Sequence, residues 1–266
     1  MPAPTVIAIS NQKGGEGKTT TAVNLAASIA AAEHRVLLID MDPQGNASSS
    51  VGYPKGVAEQ GTYDLLMGLA GPTEVIQNTE LPMLDVIPSS MDLAGAEVEL
   101  VEVENRESVL RSSLEGVLEH QSYEYILLDC PPSLGLLTIN ALVAATSVLI
   151  PMQAKYFSLE GLGALNNTIG AVREAFNPEL ALEGIVFCMF DARTNLAQQV
   201  VKEVHSHFEG LVYDTRIPVN IRLSESPSHG KPALLYDIES KGAQAYLQLA
   251  REVLSRRDGM AEAVAT

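Results

Sequence analysis

Apolar, largely β-branched or leucine-rich runs recur along the chain at Val6–Ile9, Arg35–Asp40, Leu84–Pro88, Tyr125–Asp129, Ser147–Pro151, Leu182–Phe190 and Val212–Ile217, each bounded by turn residues. Most are uninterrupted rather than alternating, the pattern of strands covered on both faces, as in a parallel sheet. Helical patterning fills the intervals near residues 18–33, 91–120, 134–145, 158–176, 195–208 and 240–255. This alternation predicts an α/β fold: a single doubly wound, mostly parallel sheet flanked by helices. One domain is expected over residues 1–255, and residues 256–266, with Gly259 and small side chains, are expected to fray. Ligands of such sheets sit beyond the carboxyl ends of the strands. Those ends are 10–17, 40–45, 88–90, 129–133, 151–153, 189–195 and 218–220, and polar, proline and glycine residues gather there.

The chain's 266 residues, 46% of them apolar, suffice for a large core. No apolar run approaches the roughly 20 residues of a membrane span. No charged leader with an apolar core precedes the first strand either, so a cytoplasmic protein without a membrane span is expected. Cys130 and Cys188 lie far apart inside apolar runs and read as buried, reduced thiols rather than a disulfide or metal pair. The net charge of −16 argues against nucleic-acid binding until its distribution is considered. Residues 59–124 hold 14 acidic and 2 basic side chains, a net of −12, whereas residues 189–241 hold 7 and 6, a net of −1. The acidity is concentrated in one third of the chain, which leaves room for a basic face elsewhere.

Residues 13–20 read K-G-G-E-G-K-T-T, directly after the first predicted strand and directly before the first predicted helix. A strand, a glycine turn and a helix start make a phosphate cradle, with backbone N–H groups and a helix N-terminus aimed at one point. Gly14, Gly15 and Gly17 let the backbone wrap an oxygen cluster, Lys18 neutralises the β and γ phosphates, and Thr19 supplies a hydroxyl for Mg2+, with Thr20 beside it. Gln12 stands where a standard loop has its first glycine, Lys13 follows it, and Glu16 sits inside the loop. The run R-V-L-L-I-D-M-D delivers Asp40 and Asp42 on the same side of a strand end, before Pro43 to Asn46 turn away. Asp42 is placed to orient the attacking water close to the metal, and Asp40 to act from the metal's periphery. Asp129 ends a third buried run, the position from which such enzymes hold the water shell of Mg2+.

Together, the K-G-G-x-G-K-T-T loop with its leading lysine, D-M-D-P-Q-G-N at 40–46, L-L-D-C-P-P-S at 127–133 and R-L-S-E-S-P-S-H-G-K-P at 222–232 resemble the ParA/Soj partitioning ATPases. These belong to a deviant-Walker group that also contains the MinD regulators and the nitrogenase iron protein. The resemblance runs from about Thr5 to about Leu254. It implies an ATPase using ATP and Mg2+, slow and partner-stimulated, that partitions DNA in the cytoplasm at the nucleoid. It further implies a homodimer in the ATP state, non-specific DNA binding, and a ParB/Spo0J-type centromere-binding partner that stimulates hydrolysis. Lys13 resembles the lysine that reaches the partner subunit's phosphates, and Asp42 the hydrolytic aspartate. Met189, Pro218 and Asn220 match segments that contact adenine, and Arg193 and Arg222 match DNA-binding positions.

Two positions depart from the family pattern. Glu16 replaces a small or apolar residue, and a carboxylate some 6 Å from phosphate charge costs roughly 3 kcal/mol per charge pair at an effective dielectric near 20. Weaker ATP affinity or slower turnover than in Glu16→Val is therefore expected. Val219 stands where relatives commonly carry arginine, which removes a phosphate contact and flattens the salt dependence of DNA binding. Three other readings compete: a MinD-like membrane regulator, which needs an amphipathic basic C-terminal helix; a nucleotide-gated scaffold that barely hydrolyses ATP; and an iron–sulfur reductase, for which Cys130 and Cys188 are poorly placed.

Overall fold

The computed structural model describes residues 3–120 and 122–264. The chain begins with β1 (Thr5–Ile9), α1 (Lys18–Ala31) and β2 (Val36–Asp40), followed by the short helices α2 (Asn46–Ser50), α3 (Thr62–Leu66) and α4 (Pro72–Val75). It continues through β3 (Gln77–Asn78), β4 (Leu84–Ile87), α5 (Leu93–Glu99), α6 (Val109–His120), β5 (Tyr125–Asp129), α7 (Leu136–Ala144) and β6 (Ser147–Gln153). Then come α8 (Tyr156–Ala175), β7 (Ala181–Phe190), α9 (Asn195–His207), β8 (Val212–Pro218), α10 (Ile221–Glu225), α11 (Ala233–Tyr236) and α12 (Lys241–Val264).

The eight strands form one sheet in the order β3-β4-β2-β5-β1-β6-β7-β8, parallel except where the edge strand β3 runs antiparallel to β4. The uninterrupted apolar runs explain this layout, because successive residues of one strand serve opposite cores. Val6, Ala8, Leu37, Ile39, Ile126 and Leu128 pack on the face covered by α5 to α9. Their neighbours Ile7, Ile9, Val36, Leu38, Tyr125 and Leu127 pack on the face covered by α1 and α12. Both cores need apolar residues from the same strand, so β1, β2 and β5 show no polar alternation.

The structure corrects several boundaries. The helical stretch expected over 91–120 is interrupted: α5 ends at Glu99, Asn105 takes a left-handed conformation with φ 54°, and α6 starts at Val109. The last helix, α12, extends to Val264. Arg256 lies 2.9 Å from Glu252 and stacks over the Tyr213 ring at 4.0 Å, while Arg257 pairs with Glu183 at 3.3 Å. No helix among the described residues is long and apolar enough to cross a membrane.

Candidate nucleotide site

Strand register assembles the site. Asp129 at the end of β5 pairs in register with Ile9 of β1 on one side and Asp40 of β2 on the other, so three strand ends lie in a row. The loop after β1 wraps over this row and enters α1 at Gly17, whose φ of 96° is open to glycine but strained for any other residue. A Cβ at Gly17 would also stand 3.2 Å from the Cys188 side chain on β7. No side chain caps α1, in contrast to α9, where Thr194 accepts from the Ala197 N–H. The first turn of α1 therefore keeps N–H donors for an anion, with the helix dipole behind them. Lys18 is buried and its Nζ donates to the Lys13 carbonyl at 3.1 Å. Burial pulls the Lys18 ammonium below its usual pKa, and Asp129, the Cys130 thiol, Asp42 and Glu16 oppose the shift.

The two buried aspartates differ in what holds them. Asp40 is fully engaged: its Oδ1 accepts from the Asp42 N–H at 3.1 Å, and its Oδ2 accepts from the Ser48 N–H at 2.8 Å and the Ser48 hydroxyl at 2.6 Å. Burial pushes its pKa up to about 6 against these hydrogen bonds. Asp40 thus organises the loop that carries Asp42, a role its sequence position did not reveal. Asp42 closes that loop, its Oδ1 accepting from the Gln44 N–H at 2.9 Å and its carbonyl from the Gly45 N–H at 2.9 Å. Asp129 is completely buried, and neither carboxylate oxygen has a hydrogen-bond partner of normal geometry. Burial, then the Asp40 and Asp42 charges, raise its pKa well above the usual range, and the nearby Thr19 hydroxyl and the Lys18 ammonium oppose the shift. A buried carboxylate left without donors beside a hydroxyl, at the end of a phosphate loop, fits the outer shell of a hydrated Mg2+.

Glu16 departs most from expectation. Its side chain points neither at the phosphate position nor to solvent; it is 1% exposed and bound elsewhere. One oxygen accepts from the Gln153 N–H at the end of β6, the other from the Ser158 hydroxyl in the first turn of α8 at 3.0 Å. Gln153 returns a second tie, its Nε2 donating to the Gly15 carbonyl at 2.8 Å.

A cleft of about 420 Å3 opens beside Thr19 and Thr20, lined by Asn24, Asn46, Ser49, Ser226 and Lys231 among others. The adenine candidates lie outside its lining. Met189 is exposed at the end of β7, adjacent to the Cys188 that meets Gly17; Pro218 ends β8, and Asn220 caps α10 by accepting from the Arg222 N–H at 3.0 Å. Both candidate DNA-binding arginines are already paired within the subunit. Arg193 makes a two-pronged contact with Asp191 at 2.9 and 2.7 Å, and Arg222 lies 2.8 Å from Glu225 and 3.1 Å from Asp237. Cys130 and Cys188 are free, buried thiols.

Similarity to known proteins agrees with this geometry. A family model described as an AAA domain matches residues 4–182. The chain is 54% identical over 251 residues to the chromosome partitioning protein ParA of Myxococcus xanthus, covering 94% of this chain and 88% of that one. It is 55% identical over 248 residues to the sporulation initiation inhibitor protein Soj of Bacillus subtilis, covering 93% and 97%. Among solved structures, cobyrinic acid a,c-diamide synthase of Mycobacterium smegmatis, with a bound ATP analog and magnesium, superposes with a TM-score of 0.83 at 32% identity, covering 96% of each chain. The cell division ATPase MinD of Pyrococcus furiosus shares the fold at a TM-score of 0.76 and 23% identity, covering 95% of this chain and 99% of that one. With a phosphate loop, an uncapped helix end and an unpartnered aspartate converging at the carboxyl ends of the central strands, the chain belongs to the ParA/Soj family of chromosome-partitioning ATPases and works with ATP and Mg2+.

Proposed function

We propose that ATP binding drives two copies of this chain into a dimer that grips DNA without sequence preference, and that hydrolysis, stimulated by a ParB/Spo0J-type centromere-binding partner, releases it. The observation that carries the dimer is the carboxyl-end face. It exposes Tyr156 (62%) and Phe157 (65%) after β6, with Phe157 beside Lys13, and Val219 (71%) and Ile221 (67%) after β8, large apolar side chains that a solitary chain has little reason to display. The loop from Lys13 to Thr20 and the α1 N-terminus hold the triphosphate, with Lys18 against its outer phosphates. Thr19, Asp42 and Asp129 would hold a Mg2+, which would neutralise phosphate charge. Asp42 orients the attacking water, and Lys13 reaches the partner's phosphates. Met189, Pro218 and Asn220 flank the adenine.

Arg193 and Arg222 meet DNA phosphates in this reading, which means exchanging Asp191, Glu225 and Asp237 for the polymer. Such an exchange, on a chain of net charge −16, makes binding weak, and few phosphate contacts keep its salt dependence shallow. The protein then operates on nucleoid DNA in the cytoplasm. The test is DNA retention at low salt with no nucleotide, ADP, ATP or a slowly hydrolysed analogue, for the wild type and Arg222→Glu. Retention confined to the ATP and analogue states and lost in Arg222→Glu is expected. Recruitment to liposomes without DNA retention would favour the MinD-like reading, and equal retention by Arg222→Glu would remove Arg222 from the interface.

A further inference from the structure

Lys13 is the cation that the proposed dimer needs on the far side of its interface, and in the isolated subunit it is held at home. Its Nζ lies 3.6 Å from Glu16 Oε1 and 5.9 Å from the Phe157 ring centroid, with the side chain 42% exposed. The Glu16 carboxylate is in turn anchored by the Gln153 N–H and the Ser158 hydroxyl, on β6 and α8. Its charge is fixed in space and faces Lys13. Because both oxygens keep a hydrogen-bond donor when Lys13 departs, Glu16 can lose the ion pair without becoming an unsatisfied buried group.

We propose that Glu16 is a positioning residue for Lys13: it holds the ammonium against its own subunit beside Phe157, and so raises the concentration of ATP-bound chain at which two copies close. This rests on the dimer reading given above. Closing transfers Lys13 from Glu16 to a triphosphate, so each subunit breaks one half-exposed pair and each dimer breaks two. A valine or glutamine at position 16 leaves the ammonium free beforehand. The negative residue inside the phosphate loop thus acts on assembly through Lys13, rather than on ATP through direct repulsion.

Two measurements separate this inference from the reading on which it rests. The first is the rate at which a lysine-selective acylating reagent modifies Lys13 in the nucleotide-free protein, followed by mass spectrometry in the wild type, Glu16→Gln and Phe157→Ala. Gln retains an oxygen acceptor for the Gln153 N–H, and Phe157 is exposed, so a folding defect in one variant leaves the other informative. Faster modification of Lys13 is expected in both, and rates equal to wild type would overturn the latch whatever the oligomeric state. The second is the concentration midpoint of dimerisation with a slowly hydrolysed ATP analogue, by light scattering. Glu16→Gln should lower it by roughly fivefold, whereas a Lys13→Ala chain should stay monomeric over the same concentrations with or without Glu16→Gln. An unchanged midpoint in a wild type that does dimerise would overturn the role in assembly. A wild type that stays monomeric with the analogue would overturn the dimer reading, and with it this inference.

Discussion

At the scale of single residues, the site depends on two buried aspartates doing opposite things. Asp129 is buried with neither carboxylate oxygen in a well-formed hydrogen bond, which destabilises the metal-free protein and, in the proposed site, leaves the carboxylate for a cation's water shell. Asp129→Asn is therefore expected to raise the melting temperature of the nucleotide- and metal-free protein, by roughly 2–4 °C for each kcal/mol regained, while abolishing Mg2+-dependent hydrolysis. A melting temperature below wild type would show that Asp129 has protein partners instead. Asp40, by contrast, holds the Asp42 loop through Ser48. Ser48→Ala should cost about 1–3 kcal/mol of stability in urea titrations and lower kcat more than it raises KM, because the loop loosens around Asp42. Asp40 also sets a pH dependence. With its pKa raised from 3.8 to about 6, the native state holds a proton that the unfolded state has released, so its contribution to stability falls as pH rises through that window. Asp40→Asn should accordingly gain stability relative to wild type between about pH 4 and 6 and show a constant difference above it; a difference that shrinks over that range would contradict the assignment.

At the scale of elements, local patterns were legible and long-range ones were not. The buried runs of β1, β2 and β5 lie within a residue of their predicted positions because both faces demand apolar side chains. The glycine loop, Asp42 and Asp129 could be read from a few contiguous residues each. Glu16 could not, since its partners Gln153 and Ser158 are 137 and 142 residues away and a polar residue in a loop looks solvated from sequence alone. The pairing of Arg222 with Asp237 was hidden in the same way. The two-residue strand β3 is too short to carry a period, and Asn105 breaks a stretch whose composition reads as continuous helix. Near the C-terminus, Arg256 and Arg257 on α12 contact Tyr213 and Glu183. Removing residues 256–266 should lower the melting temperature by a few degrees, whereas a frayed tail would leave it unchanged.

At the scale of the whole molecule, a doubly wound sheet gathers the phosphate loop, both aspartate loops and a rim of exposed apolar side chains at one edge. In the proposed dimer, nucleotide chemistry and association surface share a face, and a triphosphate at the α1 N-terminus offers the partner's Lys13 something to hold. The proposed dimer requires ATP, and not ADP, to join two copies through that lysine. The most direct test is the molar mass in solution of Asp42→Ala, which should retain ATP unhydrolysed, measured by light scattering with ATP and with ADP, alone and combined with Lys13→Ala. The expected result is a dimer only for Asp42→Ala with ATP, and monomers with ADP or in the double variant. A monomer in every nucleotide state, or a dimer that persists with ADP and without Lys13, would contradict it.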